Sequence, residues 1–402
     1  MRSSLDLSSA LRRHVTAIGF DLVGITPLRD SDHAAFYQRW LAGGRHGDMG
    51  YLARADAVQR RLRPTAAWPG LRSAIVVAHN YYAGGEGGGE GGRGIIARYA
   101  RGRDYHKVIR QKLLELLRWL EGEIGHELPL ARAYIDTGPV LERELAQRAG
   151  LGWFGRNTML IHPRRGSYFF LGVLLVELEL DYDEPFGADH CGTCTRCIDA
   201  CPTGALLDRD ADGAPVIDAT RCISYLTIEH GGAIPRELRP LIGNRIFGCD
   251  ICQEVCPFNG PKFVQIAAEP AYAARRAGAA PRGTQGSSAH ASHPGTTSPS
   301  LIALMGMDET SWDAFSRGSA LRRAGRAGFL RNVAVALGNW GSPEAAPALA
   351  AALSDREPLV RGHAAWALGR IASAEARAAL SDQLAVESDA WVREELRLAL
   401  DD

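Results

Sequence analysis

The chain has 402 residues, of which 46% are hydrophobic and 23% are charged. This composition is ordinary for a soluble globular protein and excludes collagen-like and membrane-like classes, and the length predicts two or three domains. The 46 basic and 46 acidic residues cancel to a net charge of zero, so a nucleic-acid partner would have to be recognised by local patches.

The first 26 residues predict an amphipathic helix that runs into a strand. Arg12, Arg13 and Asp21 interrupt the apolar positions, so no secretory signal is expected. The longest apolar run, from Tyr168 to Leu180, contains two glutamates and is too short to span a bilayer. These features predict a cytoplasmic protein that does not enter the membrane.

Residues 1–180 predict an α/β domain. Strand-like runs occur at Ser73–Ala78, Ala131–Asp136 and Phe169–Leu175, and a helical pattern occupies Lys107–Glu121. The glycine-rich stretch Gly84–Gly94 lacks the G-K-[ST] ending of a phosphate loop. We interpret that stretch as a mobile surface loop without chemistry.

Residues 181–262 contain all eight cysteines and predict a bacterial ferredoxin-like domain. The first run follows the spacing C-x2-C-x2-C-x3-C-P, with ligands at Cys191, Cys194, Cys197 and Cys201. Three thiolates at three-residue intervals can wrap one [4Fe-4S] cubane. The fourth, before the turn at Pro202, is directed toward a second cluster.

The second run lacks one ligand. It comprises Cys249, Cys252 and Cys256, and Ile246 stands where a first cysteine is expected. Cys222 is the remaining cysteine and completes a set of eight. The pseudo-symmetric assignment gives one cluster Cys191, Cys194, Cys197 and Cys256, and the other Cys201, Cys222, Cys249 and Cys252.

Two alternatives to iron–sulfur clusters are a pair of zinc sites and a disulfide framework. Disulfides are disfavoured in a chain without a secretory signal, and zinc knuckles rarely use the x3-C-P ending. Two neighbouring clusters indicate electron transfer, because a purely structural cluster needs no neighbour.

The C-terminal third divides into a linker and a repeat region. Residues 263–300 form the predicted linker, and residues 268–299 in particular are rich in Ala, Gly, Ser, Thr and Pro. Residues 301–402 contain a repeat of about 30 residues, in which Leu330–Gly338 resembles Val360–Gly369 and Val392–Leu400 follows. This period predicts stacked HEAT-like helix pairs.

Asp136 is the candidate catalytic residue. It stands at the carboxyl end of a predicted strand, before the turn at Gly138 and Pro139 and a helix that ends at Gly150. A carboxylic acid whose pKa is raised by an apolar site could give a proton to a departing oxygen. The alternative is an aspartate that caps the turn, and the local pattern does not separate the two.

Five motifs together resemble the epoxyqueuosine reductase family, and the likeness covers nearly the whole chain, including the C-terminal repeats. The motifs are Arg98–Lys107 (RYARGRDYHK), Ile135–Ala146 (IDTGPVLERELA), Gly150–Thr158 (GLGWFGRNT), Arg221–Glu229 (RCISYLTIE) and Gly243–Asp250 (GNRIFGCD).

The resemblance implies a multidomain α/β and α+β protein with a cobalamin cofactor beside the two clusters. It implies reduction of the epoxide of epoxyqueuosine to queuosine at the tRNA wobble position, with Asp136 as proton donor. The tRNA anticodon stem-loop is then the substrate, and an external low-potential donor supplies electrons. Separately from the resemblance, the low number of exposed-looking apolar runs predicts a monomer.

The resemblance also implies contact residues. Candidates for the cobalamin pocket are Arg61, Tyr99, Arg156, Asn157, Met159 and Ser224. Candidates for substrate contact are His106 and Arg143 near the modified base, and Arg245, Arg322 and Arg323 along the tRNA. The simpler interpretation of each is an ion pair, a packed core residue or a solvated face.

Arg322 and Arg323 belong to a local basic patch with Arg317, Arg326 and Arg331. Five cations within fifteen residues form a possible phosphate track.

Two competing functions remain on sequence grounds. One is another corrinoid iron–sulfur reductase of the dehalogenase type, and the other is a non-catalytic ferredoxin-type electron carrier with a HEAT docking surface. The first usually carries an export signal, and the second would bind no corrinoid.

Overall fold

The computed structural model describes residues 4–84, 91–276 and 295–401. The chain folds into two compact units, each assembled from three separate segments. The first unit comprises Met1–Ala83, Asp104–Thr220 and Ile251–Tyr272, and the second comprises Gly84–Arg103, Arg221–Asp250 and Ala273–Asp402. Residues 85–90 of the predicted glycine-rich loop and residues 277–294 of the predicted linker lie outside the described residues.

The helices of the described residues are α1 (Ser4–Ala17), α2 (Ala34–Ala42), α3 (Ala55–Leu62), α4 (Pro64–Ala67), α5 (Tyr105–Ile124), α6 (Glu142–Arg148), α7 (Arg196–Asp199), α8 (Ile223–Ile228), α9 (Arg239–Ile242), α10 (Ile251–Glu254), α11 (Leu301–Met305), α12 (Glu309–Ser316), α13 (Gly325–Trp340), α14 (Ala346–Ala352), α15 (Pro358–Ile371), α16 (Ala374–Val386) and α17 (Ala390–Asp401). No described helix is long and apolar enough to cross a membrane.

The strands of the described residues are β1 (Leu22–Pro27), β2 (Ser73–Asn80), β3 (Ile95–Ile96), β4 (Arg132–Tyr134), β5 (Trp153–Phe154), β6 (Leu160–Ile161), β7 (Phe169–Val176), β8 (Leu206–Arg209), β9 (Pro215–Ile217) and β10 (Arg245–Phe247). The strands predicted around residues 73–78, 131–136 and 169–175 are therefore present as β2, β4 and β7, and the predicted helix at 107–121 is the central part of α5.

The first unit is built on a four-stranded sheet with the order β1-β2-β7-β4. All three pairings are antiparallel, with Val76 opposite Val173 and Ala133 opposite Leu174 as examples of the register. Short apolar runs do not specify strand direction, so the antiparallel order was not accessible from the sequence. Helices and strands are mixed in this unit, as expected.

Helices cover both faces of this sheet. Val76 and Val173 point to one face, where they pack with Leu145 of α6 in a buried apolar cluster. Gly172 points to the other face, where an added Cβ would lie 2.9 Å from Ile109 of α5. Burial on both faces explains why β2 is apolar almost throughout instead of alternating.

The second unit contains the HEAT-like helices that the repeat predicted. α13, α15 and α17 form its buried layer, with Val333, Ala364 and Leu396 fully buried. The glycine that ends each Ala-Leu-Gly repeat marks a close helix crossing. An added Cβ at Gly338 would lie 2.9 Å from Cα of Ala367, and one at Gly369 would lie 2.9 Å from Cα of Ala399.

The described end of the predicted linker is not featureless. Pro270–Tyr272 forms a 3-10 turn, and Tyr272 is only 2% exposed. Its hydroxyl lies 2.8 Å from Nδ1 of His79 in β2. Tyr272 therefore belongs to the core of the first unit.

Candidate active site and iron–sulfur centre

Asp136 lies in the loop between β4 and α6, two residues past the end of β4. Its backbone has φ = 58°, the left-handed conformation that L-residues with a side chain rarely adopt. The loop folds back on its strand at Gly138, where an added Cβ would lie 2.3 Å from the ring of Tyr134. Glycine is therefore required there, and the turn presents Asp136 outward.

The N-terminus of α5 faces this loop. Asp104 caps the helix, since its side chain accepts a hydrogen bond from the backbone N–H of His106. The same carboxylate lies 2.8 Å from Nδ1 of His106. Tyr105 stacks on Phe170 of β7 with ring centroids 4.1 Å apart. These contacts fix the rotamers of two side chains that approach Asp136.

Asp136 and α5 meet through one carboxylate oxygen. The hydroxyl of Tyr105 donates to Oδ2 of Asp136 at 2.7 Å, and Nε2 of His106 lies 3.7 Å from the same oxygen. The Asp136 side chain is 69% exposed and that of His106 is 32% exposed. The carboxylate is therefore held from one side and open to a ligand on the other.

The ionisation of this pair differs from the sequence-based expectation. Burial disfavours the charged imidazolium, but the hydrogen bond to Asp104 and the nearby carboxylate of Asp136 outweigh it and raise the pKa of His106 to about 9. Surrounding protein atoms tend to raise the pKa of Asp136, but the nearby imidazole of His106 and the hydrogen bond from Tyr105 lower it on balance. Asp136 is therefore ionised and His106 protonated at neutral pH.

The capping alternative for Asp136 is not what the structure displays. α6 begins six residues later, and its N-cap is Leu141. The described hydrogen bond of the Asp136 carboxylate joins it to Tyr105 and not to the following turn.

Glu142, the first residue of α6, is a second acid near Asp136 that sequence reasoning missed. Burial and, secondarily, the charge of Asp136 raise the pKa of Glu142 to about 8. Its Oε1 has no hydrogen-bond partner among the described residues. Its neighbour Arg143 is exposed, donates to the carbonyl of Thr158, and helps to lower the pKa of Asp136. Opposite pKa shifts of two nearby carboxyls are typical of acid–base sites.

Four of the eight cysteines share one local environment in the first unit. Burial and then the charge of Cys191 raise the pKa of Cys197 to about 11, and Cys256 also contributes. Burial and the charges of Cys191 and Cys194 likewise raise the pKa of the Cys256 thiol. These are the four residues assigned to one cluster from the spacing. Thiols that repel one another as anions are suited to a cationic iron centre.

The remaining four cysteines are divided between the two units. Cys201 and Cys252 belong to the first unit, whereas Cys222 and Cys249 belong to the second. Burial tends to raise the pKa of Cys201, but the Thr203 hydroxyl, with Sγ and Oγ1 3.6 Å apart, and nearby backbone N–H groups lower it on balance. No disulfide joins any of the eight cysteines in the described residues. Among the described residues, no three His, Cys, Asp or Glu side chains are placed to hold a single metal ion.

Trp153 is a further residue of the cysteine site that sequence reasoning missed. The indole Nε1–H of this β5 residue donates to Sγ of Cys191 at 3.4 Å. The ring is 2% exposed and packs edge-on against Phe258, which follows Cys256. N–H donors to ligand sulfurs tune iron–sulfur potentials. Its position inside the Gly150–Thr158 motif was the available signal.

Three candidate cobalamin residues lie around the β5–β6 hairpin beside the cysteines. Arg156 pairs with Asp208 at 3.1 Å and donates to the carbonyl of Gly192 at 3.0 Å. Asn157 is buried, donates to the carbonyl of Cys252 at 3.3 Å, and accepts from the N–H of Met159. Arg156 and Asn157 therefore fasten the hairpin to two cysteine segments.

The other cobalamin candidates are distributed over both units. Arg61 of α3 is 9% exposed and donates to the carbonyl of Ala57 at 3.5 Å. Within the described residues, Arg61 has no carboxylate partner, and with Leu28 and Leu141 it lines a small, open surface cleft. Tyr99 and Ser224 lie in the second unit, where the ring of Tyr99 is 6.3 Å from that of Phe247.

The basic patch of the second unit is largely ion-paired. Arg317 and Arg322 both bind Asp313, and Arg323 binds Glu229 at 2.7 Å. Arg322 and Arg323 remain 54% and 57% exposed, so a phosphate could still reach them. Arg245 is half-buried at the start of β10 and donates to the carbonyl of Ile242.

Two arginines of the predicted phosphate track are not placed to contact a phosphate backbone. Arg331 is 1% exposed and donates to the carbonyls of Leu226, His230 and Gly232. Arg326 pairs with Asp355 and is mostly covered. The sequence lists no acid within the patch, but the fold brings carboxylates to it from other segments.

Known families match three regions of the chain. The family described as "4Fe-4S double cluster binding domain" matches residues 190–259. "Epoxyqueuosine reductase QueG, DUF1730" matches residues 61–137, and "HEAT repeats" matches residues 317–401. The chain is thus an iron–sulfur protein with a double-cluster region between a mixed helix–strand part and a helical repeat part.

Full-length relatives narrow this class to one family. An epoxyqueuosine reductase from Pseudomonas aeruginosa is 40% identical over 372 residues, which cover 90% of this chain and 94% of the relative. An epoxyqueuosine reductase from Escherichia coli is 38% identical and covers 90% of this chain and 89% of the relative. The chain belongs to the epoxyqueuosine reductase family and is an oxidoreductase.

Solved structures of epoxyqueuosine reductases have the same fold as this chain over 99% of its length. An epoxyqueuosine reductase crystallised with an epoxyqueuosine-modified tRNA-Tyr stem loop has a TM-score of 0.84 at 28% identity and covers 99% of both chains. The Bacillus subtilis enzyme, solved with its aspartate-bearing catalytic loop swung out of the active site, has a TM-score of 0.82 at 28% identity and the same coverage.

Proposed function

We propose that this protein reduces the epoxide of epoxyqueuosine to the alkene of queuosine at the wobble position of tRNA. The observation that carries the proposal is that one compact unit holds both a four-thiol group, Cys191, Cys194, Cys197 and Cys256, and the open Asp136 site. An electron-transfer centre and a proton-transfer site are the two things that epoxide deoxygenation requires. The family relationship supplies the substrate.

The reaction consumes two electrons and two protons and releases the oxygen as water. Ferredoxin-type clusters operate at roughly −400 mV, low enough to serve a strongly reducing centre. We propose that the eight cysteines hold two [4Fe-4S] clusters, with the ligand sets assigned from their spacing. Electrons would enter from an external low-potential donor.

Cobalamin is the cofactor that the family implies at the reacting centre. When bound, it would supply a cobalt nucleophile able to deliver two electrons to carbon. Arg61 fits this group because its guanidinium is nearly buried without a carboxylate partner and faces a cleft. We propose that Tyr99, Met159 and Ser224 also contact it, whereas Arg156 and Asn157 act by fixing the hairpin beside the cysteines.

Asp136 is proposed as the residue that gives a proton to the departing oxygen. Support comes from its outward-facing, left-handed loop position and from its exposed carboxylate. The related Bacillus subtilis enzyme has an aspartate on its catalytic loop. A tRNA stem loop is the proposed partner, with Arg143 near the base and Arg245, Arg322 and Arg323 along the backbone. The cytoplasm and a monomeric state are the proposed setting.

The test is an anaerobic reaction of the reconstituted protein with cobalamin, a chemical reductant and an epoxyqueuosine stem loop, with nucleosides identified by mass. We expect queuosine to appear. Asp136→Asn should retain iron and cobalamin while turnover falls by about 10²- to 10⁴-fold, and the exposed Asp382→Asn should match the wild type. Unchanged epoxyqueuosine with fully loaded wild-type protein would overturn the proposal.

A further inference from the structure

Asp136 and His106 are the two side chains of this site that could carry the proton for the epoxide oxygen. An ionised Asp136 has no proton to give, yet it is the residue exposed toward a ligand. The nearest proton-bearing cation among the groups that contact it is His106. This inference rests on the proposed function and adds a role for a second residue at the same site.

The geometry of His106 is that of an oriented proton carrier. Asp104 Oδ1 lies 2.8 Å from Nδ1, which fixes the ring and places the second N–H, on Nε2, on the side of Asp136. Nε2 is shielded from solvent and makes no hydrogen bond among the described residues. Its nearest acceptor is Asp136 Oδ2 at 3.7 Å. A buried N–H without a partner is costly unless a ligand or a loop movement completes it.

Neighbouring groups define where this proton can go. Tyr105 donates to the same Oδ2 at 2.7 Å and so holds the carboxylate in place. The charged and titratable groups around the pair are Asp104 and Lys107 on the α5 side, and Glu142 and Arg143 on the α6 side. Asp104 is the one that contacts the imidazole directly, so it holds the positive charge on His106.

We propose that His106 supplies the proton that Asp136 delivers to the epoxide oxygen. The proton moves from Nε2 to the Asp136 carboxyl group, which protonates the oxygen as the C–O bond breaks. The imidazole ends neutral and Asp136 ends ionised, so charge is conserved along the relay. The two electrons come from the reductant of the proposed reaction, and the second proton needed to form water comes from solvent. His106 is thus a positioning and proton-supplying residue rather than a contact to the modified base.

The pH dependence separates these two roles. If His106 supplies the proton, single-turnover rates should fall above about pH 9, where the imidazolium is lost. His106→Gln should lower the rate at pH 7.5 by at least about tenfold. It should also shift the alkaline limb of the pH–rate profile to lower pH. The dissociation constant of the stem loop should change by no more than about twofold.

Asp104→Asn provides a variant that keeps the helix cap, because asparagine caps as well as aspartate. Removing the negative charge should lower the pKa of His106 and shift the alkaline limb toward lower pH by about one unit or more. Glu142→Gln is the control for the other acid, and the limb near pH 9 should persist in that variant. Reconstituted iron content, measured in each variant, verifies folding.

Two results would overturn the relay. One is an alkaline limb of the pH–rate profile that stays near pH 9 in both His106→Gln and Asp104→Asn. The other is a variant that loses only stem-loop affinity while its single-turnover rate is unchanged. If the loaded wild-type protein leaves epoxyqueuosine unreacted at every pH, the proposed function itself fails. That result is distinguishable from a wild-type enzyme that is active but indifferent to His106.

Discussion

At the scale of single residues, the site depends on hydrogen bonds between side chains that are distant in sequence. Asp136 and Tyr105 are 31 positions apart, and Trp153 and Cys191 are 38 apart. The sequence predicted Asp136 and the cysteines as candidates, because Asp136 follows a predicted strand and the cysteines have ferredoxin spacing. It could not give the protonation of Asp136, because that depends on how α5 is placed against the loop.

Trp153→Phe tests the hydrogen bond to Cys191. The ring is retained, so packing against Phe258 should persist while the N–H···S bond is lost. A bond of about 1 kcal/mol corresponds to roughly 40 mV for a one-electron couple. We expect one cluster potential to become more negative by about that amount, because the bond favours the reduced, more negative state. An anaerobic redox titration followed by electron paramagnetic resonance measures it, and unchanged potentials would exclude tuning by Trp153.

Glu142→Gln tests the second carboxyl. Since the folded-state pKa is about 8 and the ordinary value is 4.5, the wild type loses stability as pH rises from about 4.5 through 8, where the buried group ionises. Glutamine mimics the protonated form. The variant should therefore match the wild type at pH 5 and melt about 2 °C or more higher at pH 8.5. An equal difference at both pH values would contradict a raised pKa.

At the scale of secondary-structure elements, the close helix crossings of the second unit explain its repeat. Gly369 of α15 lies against the backbone of Ala399 in α17, so a methyl group there would come within 2.8 Å of a carbonyl oxygen. Sequence periodicity predicted stacked helices, and the glycines of the first two repeats, Gly338 and Gly369, have this packing role. The antiparallel sheet of the first unit was not predictable in the same way, since β2 and β7 are apolar on both faces.

Gly369→Ala should destabilise the second unit by about 2 kcal/mol, the usual cost of overpacking a helix contact. Gly328→Ala in α13 is the matched control, because the nearest heavy atom to its added Cβ is 4.0 Å away. That change should stabilise by about 0.5–1 kcal/mol, because alanine favours the helix. Urea unfolding of both variants measures the difference, and equal shifts in the same direction would contradict the crossing geometry.

At the scale of the whole molecule, charge is arranged by the fold and not by local composition. Arg322 and Arg323 appear in the sequence as part of an uninterrupted cationic patch, yet Asp313 and Glu229 pair with them. Arg331 appears equivalent but is buried, where it satisfies carbonyls around the end of α8. Partners that come from other segments cannot be found from the local sequence. Cysteine spacing is a local property, and it was sufficient to predict the double-cluster region that the family match confirms.

Charge reversal at Arg322 and Arg323 tests the proposed phosphate track. Stem-loop affinity should fall, and the slope of log affinity against log salt should decrease in magnitude by about 1 to 2. Asp313→Asn should act in the opposite direction, because it releases Arg317 and Arg322 from their shared carboxylate. Affinity that is unchanged across salt in both variants would show that this surface is simply solvated.

The most direct test of the account is the iron and labile sulfide content of anaerobically reconstituted protein. Two [4Fe-4S] clusters on eight thiolates predict about eight iron atoms per chain, and Cys222→Ser should reduce the content toward four without affecting the cluster of Cys191, Cys194, Cys197 and Cys256. Zinc in place of iron, or about four iron atoms in the fully reconstituted wild type, would contradict it.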